Sequence, residues 1–369
     1  MIGKTRTKSP PYDLTLRNMC SSRSWTQFWQ SMAYRLIPCN STSRRKLISE
    51  WKRQKPTENI NKLTETSKSS PLSKALPMTN TNTQPTDRFF NAADGVRLHY
   101  ADWGAPNDDA PPDPPTVVLL HGLQDCAHSW DTFAAAMRSE YHVVSLDHRG
   151  HGDSAHTTPD AYGYRDYVSD LESLVAHLGL RDFVLVGHSA GGRYAFTFAA
   201  EHPELVRALL IVDIDPDAVN ADSQSMFVRY NSESDEWDSL DAVVERLRLR
   251  QPQSTDDMLL QQALCMTRET AGGRRVWKRD RKLLAAYERP DVWDIWGKVA
   301  VPTLIVRGRQ SNLLTHEVAV RMREAIANTA PLVRLAELEG GGHWFYQEFP
   351  GAFEATVRWF MRAVKDASK

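Results

Sequence analysis

Short apolar segments alternate with helical segments along most of the chain, and this alternation limits the possible folds. Strand-like segments occur at residues 96–103, 117–120, 143–147, 183–187, 208–213, 303–307 and 333–338. Helix-like segments lie between or after them, at residues 128–137, 164–178, 190–201, 317–327 and 349–364. Short apolar strands separated by helices predict an α/β fold, with a mostly parallel sheet and helices on both faces. The alternating pattern of residues 96–103 predicts an early antiparallel strand.

The alternation stops between Pro216 and Val299. This stretch shows no good strand but has helix-compatible sequence at residues 240–249 and 258–266. It also contains four tryptophans, Trp237, Trp277, Trp293 and Trp296. A connection between two core strands is normally much shorter, so this stretch is predicted to be an inserted helical cap.

The N-terminal region differs in charge from the rest. Residues 1–77 have a net charge of +11, and the remaining residues have a net charge of −12. Residues 1–86 are rich in Ser, Thr, Asn, Lys and Arg, and this composition predicts a mostly disordered extension. An organelle-targeting peptide, such as a mitochondrial one, and an untargeted basic tail both fit it. The predicted division is therefore extension 1–86, core 87–215, cap 216–298 and core 299–369.

Several classes of function find no support. No apolar run is long enough for a membrane-spanning helix, and the acidic folded part does not favour nucleic-acid binding. The sequence lacks a P-loop, an HExxH motif and a GxGxxG motif in a βαβ opening. The four cysteines, Cys20, Cys39, Cys126 and Cys265, show no CxxC spacing, which favours a reducing, cytoplasmic compartment. No metal and no organic cofactor is expected, and the oligomeric state stays open.

A nucleophile motif stands at residues 187–191. The sequence Gly-His-Ser-Ala-Gly fits G-x-S-x-G, with a predicted strand before it and a predicted helix after it. The sharp turn needs Gly187 and Gly191, since a side chain at either position would clash. The turn would present the hydroxyl of Ser189 above the sheet, at the positive end of a helix.

Four motifs in order carry a resemblance to a known family. They are His-Gly at 121–122, DHRGHGDS at 147–154, the turn at Ser189, and Gly-Gly-His at 341–343. With them, residues from about 88 to 365 resemble the α/β-hydrolase superfamily, in its capped, serine-nucleophile, esterase-like branch. The extension at 1–86 has no counterpart in that pattern.

The resemblance implies roles for individual residues. Ser189 would be the nucleophile and His343 its base, because glycines around residue 343 let that loop bring an imidazole towards the turn. The backbone N–H groups of Leu123 and Ala190 would form the oxyanion hole. The other loop histidines, His121, His148, His151 and His188, would be structural.

The acid of the triad is where the sequence departs from the common pattern. Many relatives place it in a G-x-x-S-D turn, but the corresponding turn at 308–312 ends in Asn312. Other members place it before the cap, in a V-D-I-x-P motif that this chain matches at 212–216. Asp213 is therefore the expected acid. Asp215, or no acid beyond Asn312, are the alternatives.

These residues predict hydrolysis of a small-molecule carboxylic ester or related acyl bond (ester, thioester or lactone) through an acyl-Ser189 intermediate. Carbon–carbon bond hydrolysis, perhydrolysis, hydroxynitrile cleavage, or a catalytically weak ligand-binding role remain alternatives. Trp130, Trp344 and Phe345 are pocket candidates, because their motifs place them near the chemistry. The basic run at 274–282 fits either a solvated helix face or an attractor for an anionic substrate.

Overall fold

The computed structural model describes residues 84–104, 114–219 and 221–367, so nearly all of the predicted extension lies outside the described residues. In chain order the strands are β1 (Thr86–Asn91), β2 (Arg97–Asp102), β3 (Thr116–Leu120), β4 (His142–Leu146), β5 (Phe183–His188), β6 (Val206–Val212), β7 (Glu236–Trp237), β8 (Thr267–Glu269), β9 (Arg275–Trp277), β10 (Thr303–Gly308) and β11 (Val333–Leu338). The α-helices are α1 (Asp131–Met137), α2 (Tyr164–Leu178), α3 (Ala190–Glu201), α4 (Ala221–Ser232), α5 (Leu240–Arg250), α6 (Asp256–Met266), α7 (Lys282–Ala286), α8 (Trp293–Trp296), α9 (His316–Ala325), α10 (Phe345–Glu348) and α11 (Pro350–Ala367). Two short 3₁₀ helices occupy Ala127–Trp130 and Pro159–Ala161.

Eight strands form the central sheet, in the order β1-β2-β4-β3-β5-β6-β10-β11. The pairs from β4 to β11 are parallel, whereas β1–β2 and β2–β4 are antiparallel. The predicted mostly parallel sheet is thus confirmed. Strand β1 was not predicted, because the two apolar residues of TDRFFN, Phe89 and Phe90, are adjacent and do not alternate with polar ones.

Successive residues of the central strands pack on opposite faces of the sheet. On β5, for example, Leu185 belongs to one buried cluster and Val186 to the other. Helices α2 and α3 cover the first face, and α1 and α11 cover the second. Because both faces are covered, the central strands are continuously apolar rather than alternating.

The segment between β6 and β10 contains short strands as well as helices. Strands β7, β9 and β8 form a small antiparallel sheet, so the expectation of no strand between Pro216 and Val299 was wrong. Each has only two or three residues, which is too short for a period to show in the sequence.

The basic run at 274–282 is not a helix face. It includes β9, and five of its six cations form ion pairs, among them Lys278 with Asp153 at 2.7 Å and Arg279 with Asp235 at 2.7 Å. The helix-face interpretation was wrong, because Val276 and Trp277 give this stretch a partner in a sheet instead.

The ends of this segment meet beside the central sheet. The N–H of Val292 donates to the carbonyl of Pro216 at 2.9 Å. Arg193 of α3, fully buried, donates to the carbonyls of Asp215 (2.6 Å), Asp217 (3.0 Å) and Pro290. The chain therefore leaves and re-enters the sheet region at neighbouring points. Among the described residues, none of the helices has both the length and the hydropathy needed to cross a bilayer.

Candidate active site

Ser189 lies in a strained turn between β5 and α3. Its φ of 52° and ψ of −124° are rarely adopted by a residue with a side chain. A Cβ atom on Gly187 would lie 2.5 Å from the carbonyl oxygen of Gly191, and one on Gly191 would lie 2.5 Å from the carbonyl oxygen of His121. The predicted need for glycine at both positions is confirmed.

The loop after β3 packs directly against this turn. A Cβ atom on Gly122 would lie 2.9 Å from Nδ1 of His188 and 3.0 Å from Cβ of Ser189. Leu123 follows Gly122, so its backbone lies next to the turn. Ala190 is the first residue of α3, where the helix leaves the backbone N–H without an intrahelical acceptor.

Buried histidines hold these loops in place. Nδ1 of His121 donates to the carbonyl of Gly122 at 2.7 Å, and Nε2 of His148 donates to the carbonyl of His121 at 3.0 Å. His151 accepts from the N–H of Gln124 at 3.3 Å. Burial lowers the pKa of all three imidazoles, so they are neutral groups that position backbone.

His343 and Asp213 form a buried hydrogen-bonded pair. Nδ1 of His343 donates to Oδ2 of Asp213 at 2.7 Å, which leaves the lone pair on Nε2. The loop of His343 is tied to the serine turn, because Nε2 of His188 donates to the carbonyl of His343 at 2.9 Å. Burial, together with the positive charge of nearby arginines, lowers the pKa of His343 to about 3. The neutral imidazole that results is the form able to accept a proton.

Asp213 directly follows β6, at a φ of 53°. Its backbone N–H donates to the carbonyl of Val306 at 2.8 Å, which fixes it at the carboxyl end of the sheet. The pKa of its carboxyl group is raised, because burial outweighs the hydrogen bonds from Ser311 and from the N–H of Gly308, which lower it. The Gly308 bond is 3.3 Å long.

Among the described residues, neither alternative acid position is hydrogen-bonded to His343. Oδ1 of Asp215 pairs with Arg289 at 2.6 Å, and Asn312 is exposed. The neighbour of Asn312, Ser311, donates its hydroxyl to Oδ2 of Asp213. Sequence reasoning missed Ser311, although its place beside the unexpected Asn312 was an available signal.

A cavity of about 320 Å³ opens beside His343. Trp344 lines it, together with Asn312, Leu313 and, from α4, Met226 and Arg229. Of the three aromatic pocket candidates, only Trp344 lines this cavity.

Trp130 and Phe345 lie in the core instead. Both are fully buried in the cluster under α11, and the ring centroid of Trp130 is 4.2 Å from that of Tyr346. The short helices that contain them turn these side chains onto the sheet, so their assignment to the pocket was wrong.

Positive charge near His343 comes from residues that sequence reasoning did not single out. The guanidinium of Arg250, at the end of α5, lies 4.7 Å above the ring of Trp344. Its side chain is 4% exposed, and its Nε atom has no hydrogen-bond partner among the described residues. With Arg229 in the cavity wall, two guanidinium groups lie close to His343, and that of Arg250 also forms an ion pair with Asp125 at 3.9 Å.

Comparisons with known proteins agree with the fold. Residues 115–350 match the model of the alpha/beta hydrolase fold family. The chain is 43% identical over 104 residues to the mouse sn-1-specific diacylglycerol lipase ABHD11, a match covering 28% of this chain and 33% of that protein. It is 28% identical over 204 residues to the 2-(acetamidomethylene)succinate hydrolase of Mesorhizobium japonicum, covering 54% and 73%. A crystal structure of E-2-(acetamidomethylene)succinate hydrolase superposes with a TM-score of 0.67 at 22% identity, covering 75% of this chain and 99% of that one.

Proposed function

The chain belongs to the α/β-hydrolase family, and on that premise we propose that it is a serine hydrolase that cleaves a carboxylic ester or related acyl bond. The observation that carries the proposal is the buried pair of His343 and Asp213, with Nδ1 donating at 2.7 Å, in a loop bonded to the turn of Ser189. A neutral imidazole held by a carboxylate is what a serine hydroxyl needs as its base.

In this mechanism Nε2 of His343 takes the proton of Ser189 as Oγ attacks the acyl carbon. Charge develops on the former carbonyl oxygen, and the N–H groups of Leu123 and Ala190 donate to it. Each donor of this kind is worth roughly 3 kcal/mol of barrier in another serine enzyme. The leaving alcohol takes the proton from His343, and water then attacks the acyl-Ser189 ester with the same imidazole as base. Asp213 stabilises the imidazolium at both stages.

The segment 216–298 acts as a cap that selects the substrate. Its helices supply Met226 and Arg229 to the cavity and place Arg250 on Trp344. The guanidinium groups of Arg250, whose side chain is buried, and of Arg229, which is exposed at the cavity, favour a substrate that carries a carboxylate or another anionic group. Membership of the family does not identify the substrate, since the two named relatives act on different compounds.

Other serine-nucleophile chemistry, such as carbon–carbon bond hydrolysis, perhydrolysis or hydroxynitrile cleavage, uses the same residues and is the second candidate. The ligand-binding alternative rested on Asn312. The short contact of Asp213 with His343 argues against it, since a carboxylate supports the imidazole without Asn312.

The test is turnover of p-nitrophenyl butyrate and of its anionic analogue p-nitrophenyl hemisuccinate by wild type and Ser189→Ala. We expect turnover that Ser189→Ala abolishes, a higher kcat/KM for the hemisuccinate, and labelling of Ser189 by a fluorophosphonate. Arg229→Gln should remove the preference for the anion, and Arg248→Gln, on the outer part of α5, is the matched control. Labelling without ester turnover would favour the other serine-nucleophile chemistries. Neither labelling nor turnover would favour the ligand-binding alternative.

A further inference from the structure

A second group of chemically active side chains lies where β1, β2 and the first 3₁₀ helix meet. Oδ1 of Asp87 is 3.2 Å from Nε2 of His99 and 3.6 Å from Nε2 of His128. One ligand atom from each of the three residues lies within 4.8 Å of the others. None of the three belongs to the site of Ser189.

Each imidazole is backed by a second carboxylate. Nδ1 of His99 lies 2.7 Å from Oδ2 of Asp147, and Nδ1 of His128 lies 3.1 Å from Oδ1 of Asp131. A histidine that donates Nδ1–H to a carboxylate presents the lone pair of Nε2 on the opposite side. This carboxylate–imidazole arrangement orients most histidine ligands in metal sites. Here both Nε2 atoms face Asp87.

The spacing fits a small tetrahedral ion. With bonds of 2.0–2.1 Å, a tetrahedral zinc ion separates its ligand atoms by about 3.4 Å. The two distances to Asp87 lie on either side of that value. His99 is fully buried and the side chain of Asp87 is 59% exposed, so a fourth position would face solvent.

Charge also favours a cation. Three carboxylates, those of Asp87, Asp131 and Asp147, surround the two imidazoles. Burial lowers the pKa of His99, but its hydrogen bonds to Asp147 and Asp87 outweigh burial and raise that pKa to about 9, so a bound cation takes the place of a proton on Nε2. The donor set of two nitrogens and one oxygen suits zinc-like transition metals rather than Mg²⁺ or Ca²⁺, which prefer oxygen ligands throughout.

We propose that Asp87, His99 and His128 form a binding site for a divalent transition-metal ion of the zinc class, with one position open to water. The site is separate from the proposed catalytic residues but not remote from their loops. Oδ1 of Asp147, the carboxylate behind His99, accepts the N–H of Ala127 at 2.6 Å. A bound ion therefore fastens the edge strand β1 to the loop that follows Leu123.

In a neighbouring group, His99 with Asp147 and Asp153, the carboxylate oxygens already have partners. Oδ2 of Asp147 already accepts from His99 and from the N–H of Asp153 at 2.9 Å, and both oxygens of Asp153 bind Lys278 at 2.7 Å. A third group, Glu172, Glu201 and His202, lies at the surface. These two groups provide matched controls.

The experiment is isothermal titration of the tag-free, chelator-stripped full chain with ZnCl₂, and separately with MgCl₂. We expect one Zn²⁺ per chain and no binding of Mg²⁺. Asp87→Asn and His128→Gln should each weaken Zn²⁺ binding at least about tenfold, and Asp131→Asn, which acts behind His128, should weaken it about tenfold. Asp153→Asn and His202→Gln should bind as wild type does. The visible absorption of the Co²⁺ form should show four-coordinate geometry in wild type and lose it in His128→Gln.

Circular dichroism shows whether each variant is folded, and the isosteric, exposed Asp87→Asn is the variant least able to disturb the fold. Absence of Zn²⁺ binding in wild type overturns the proposal. So does binding that survives both Asp87→Asn and His128→Gln, which would point to thiolates such as Cys20 and Cys39. Loss of binding in Asp153→Asn or His202→Gln, with Asp87→Asn unaffected, assigns the ion to another group and overturns it as well.

Discussion

Ser311 donates its hydroxyl to Oδ2 of Asp213, the same oxygen that accepts Nδ1–H of His343. The turn in which many relatives hold their acid thus supplies a hydrogen-bond donor in this chain. The carboxylate comes from the end of β6 instead, and the turn supports it from the other side. In the proposed mechanism Ser311 is therefore a positioning residue for His343, acting through Asp213.

Replacing Asp213 tests the proposed acid. We expect Asp213→Asn to lower kcat on an ester substrate by about 10⁴, the cost of the corresponding change in serine proteases, because an amide cannot stabilise the imidazolium. Asn312→Ala, which changes an exposed side chain next to Ser311, should keep kcat within about twofold. Steady-state kinetics with both variants decides, and a fully active Asp213→Asn would contradict the assignment.

Removing the hydroxyl of Ser311 should affect kcat more than KM. A hydrogen bond to a charged group contributes about 1.5–3 kcal/mol, so Ser311→Ala should lower kcat roughly tenfold or more with KM nearly unchanged. Ser311→Thr keeps the hydroxyl and should restore most of the rate. Equal loss in both variants would mean that the residue serves packing only.

The pH profile of kcat/KM should reflect the lowered pKa of His343. The imidazole acts as a base only when neutral, and burial together with Arg250, Arg289 and Arg229 holds its pKa below the ordinary 6.5. Activity should therefore persist as the pH falls below 6.5 and be lost only at the lower pKa. Arg229→Gln removes one of these charges and should move the acid limb towards higher pH, while Arg248→Gln should not. An acid limb at or above pH 6.5 in wild type would refute this expectation.

The contact between the serine turn and the oxyanion loop leaves no room for a methyl group. Gly191→Ala places a Cβ atom 2.5 Å from the carbonyl of His121, so the two loops must separate. We expect kcat to fall at least about a hundredfold, since one oxyanion donor alone is worth that much. Gly272→Ala is the control, because nothing lies within 4 Å of its added Cβ. Matching rates for the two variants would show that the contact is not needed.

Arg193 should be important for stability. It is buried and donates to three backbone carbonyls at the two ends of the inserted segment. Arg193→Met leaves those carbonyls without their donor, and we expect a loss of about 3 kcal/mol or more in the free energy of unfolding. Arg165→Met breaks an exposed ion pair with Glu201 and should lower the free energy of unfolding by less than about 1 kcal/mol. Urea denaturation of both variants measures the two losses. Comparable losses would contradict the proposed difference.

The sequence predicted the elements whose signal is local. Helices α2 and α3 lie where the period and the glycine motif place them, because an amphipathic stripe is visible in one segment alone. Strand β1 and the small sheet of β7, β8 and β9 were missed. Their residues become strands through pairing with partners distant in the chain, and no apolar pattern marks them.

The site could be predicted only as far as motifs reach. Glycines determine the backbone conformation around Ser189 and His343, so the sequence motifs were enough to single out these two residues. The roles of Ser311, Arg193 and Arg250 depend on which loops meet in space, and no spacing rule encodes that. Trp130 shows the opposite error: it is near the motif in sequence, yet its ring faces the core.

The hydrogen bond from Val292 to Pro216 has a consequence for how such a chain can change. The bond holds the two ends of the intervening segment together, so this segment is a loop closed at the sheet. Lengthening such a loop costs little, about 0.6 kcal/mol of free energy for each doubling of its length. Insertions, deletions or replacement of the whole segment by one from another protein can therefore change the proposed cap while the strands of the sheet keep their register. Under the proposed function, selectivity and reaction chemistry would reside in separable parts of one polypeptide, and a designer could exchange one without redesigning the other.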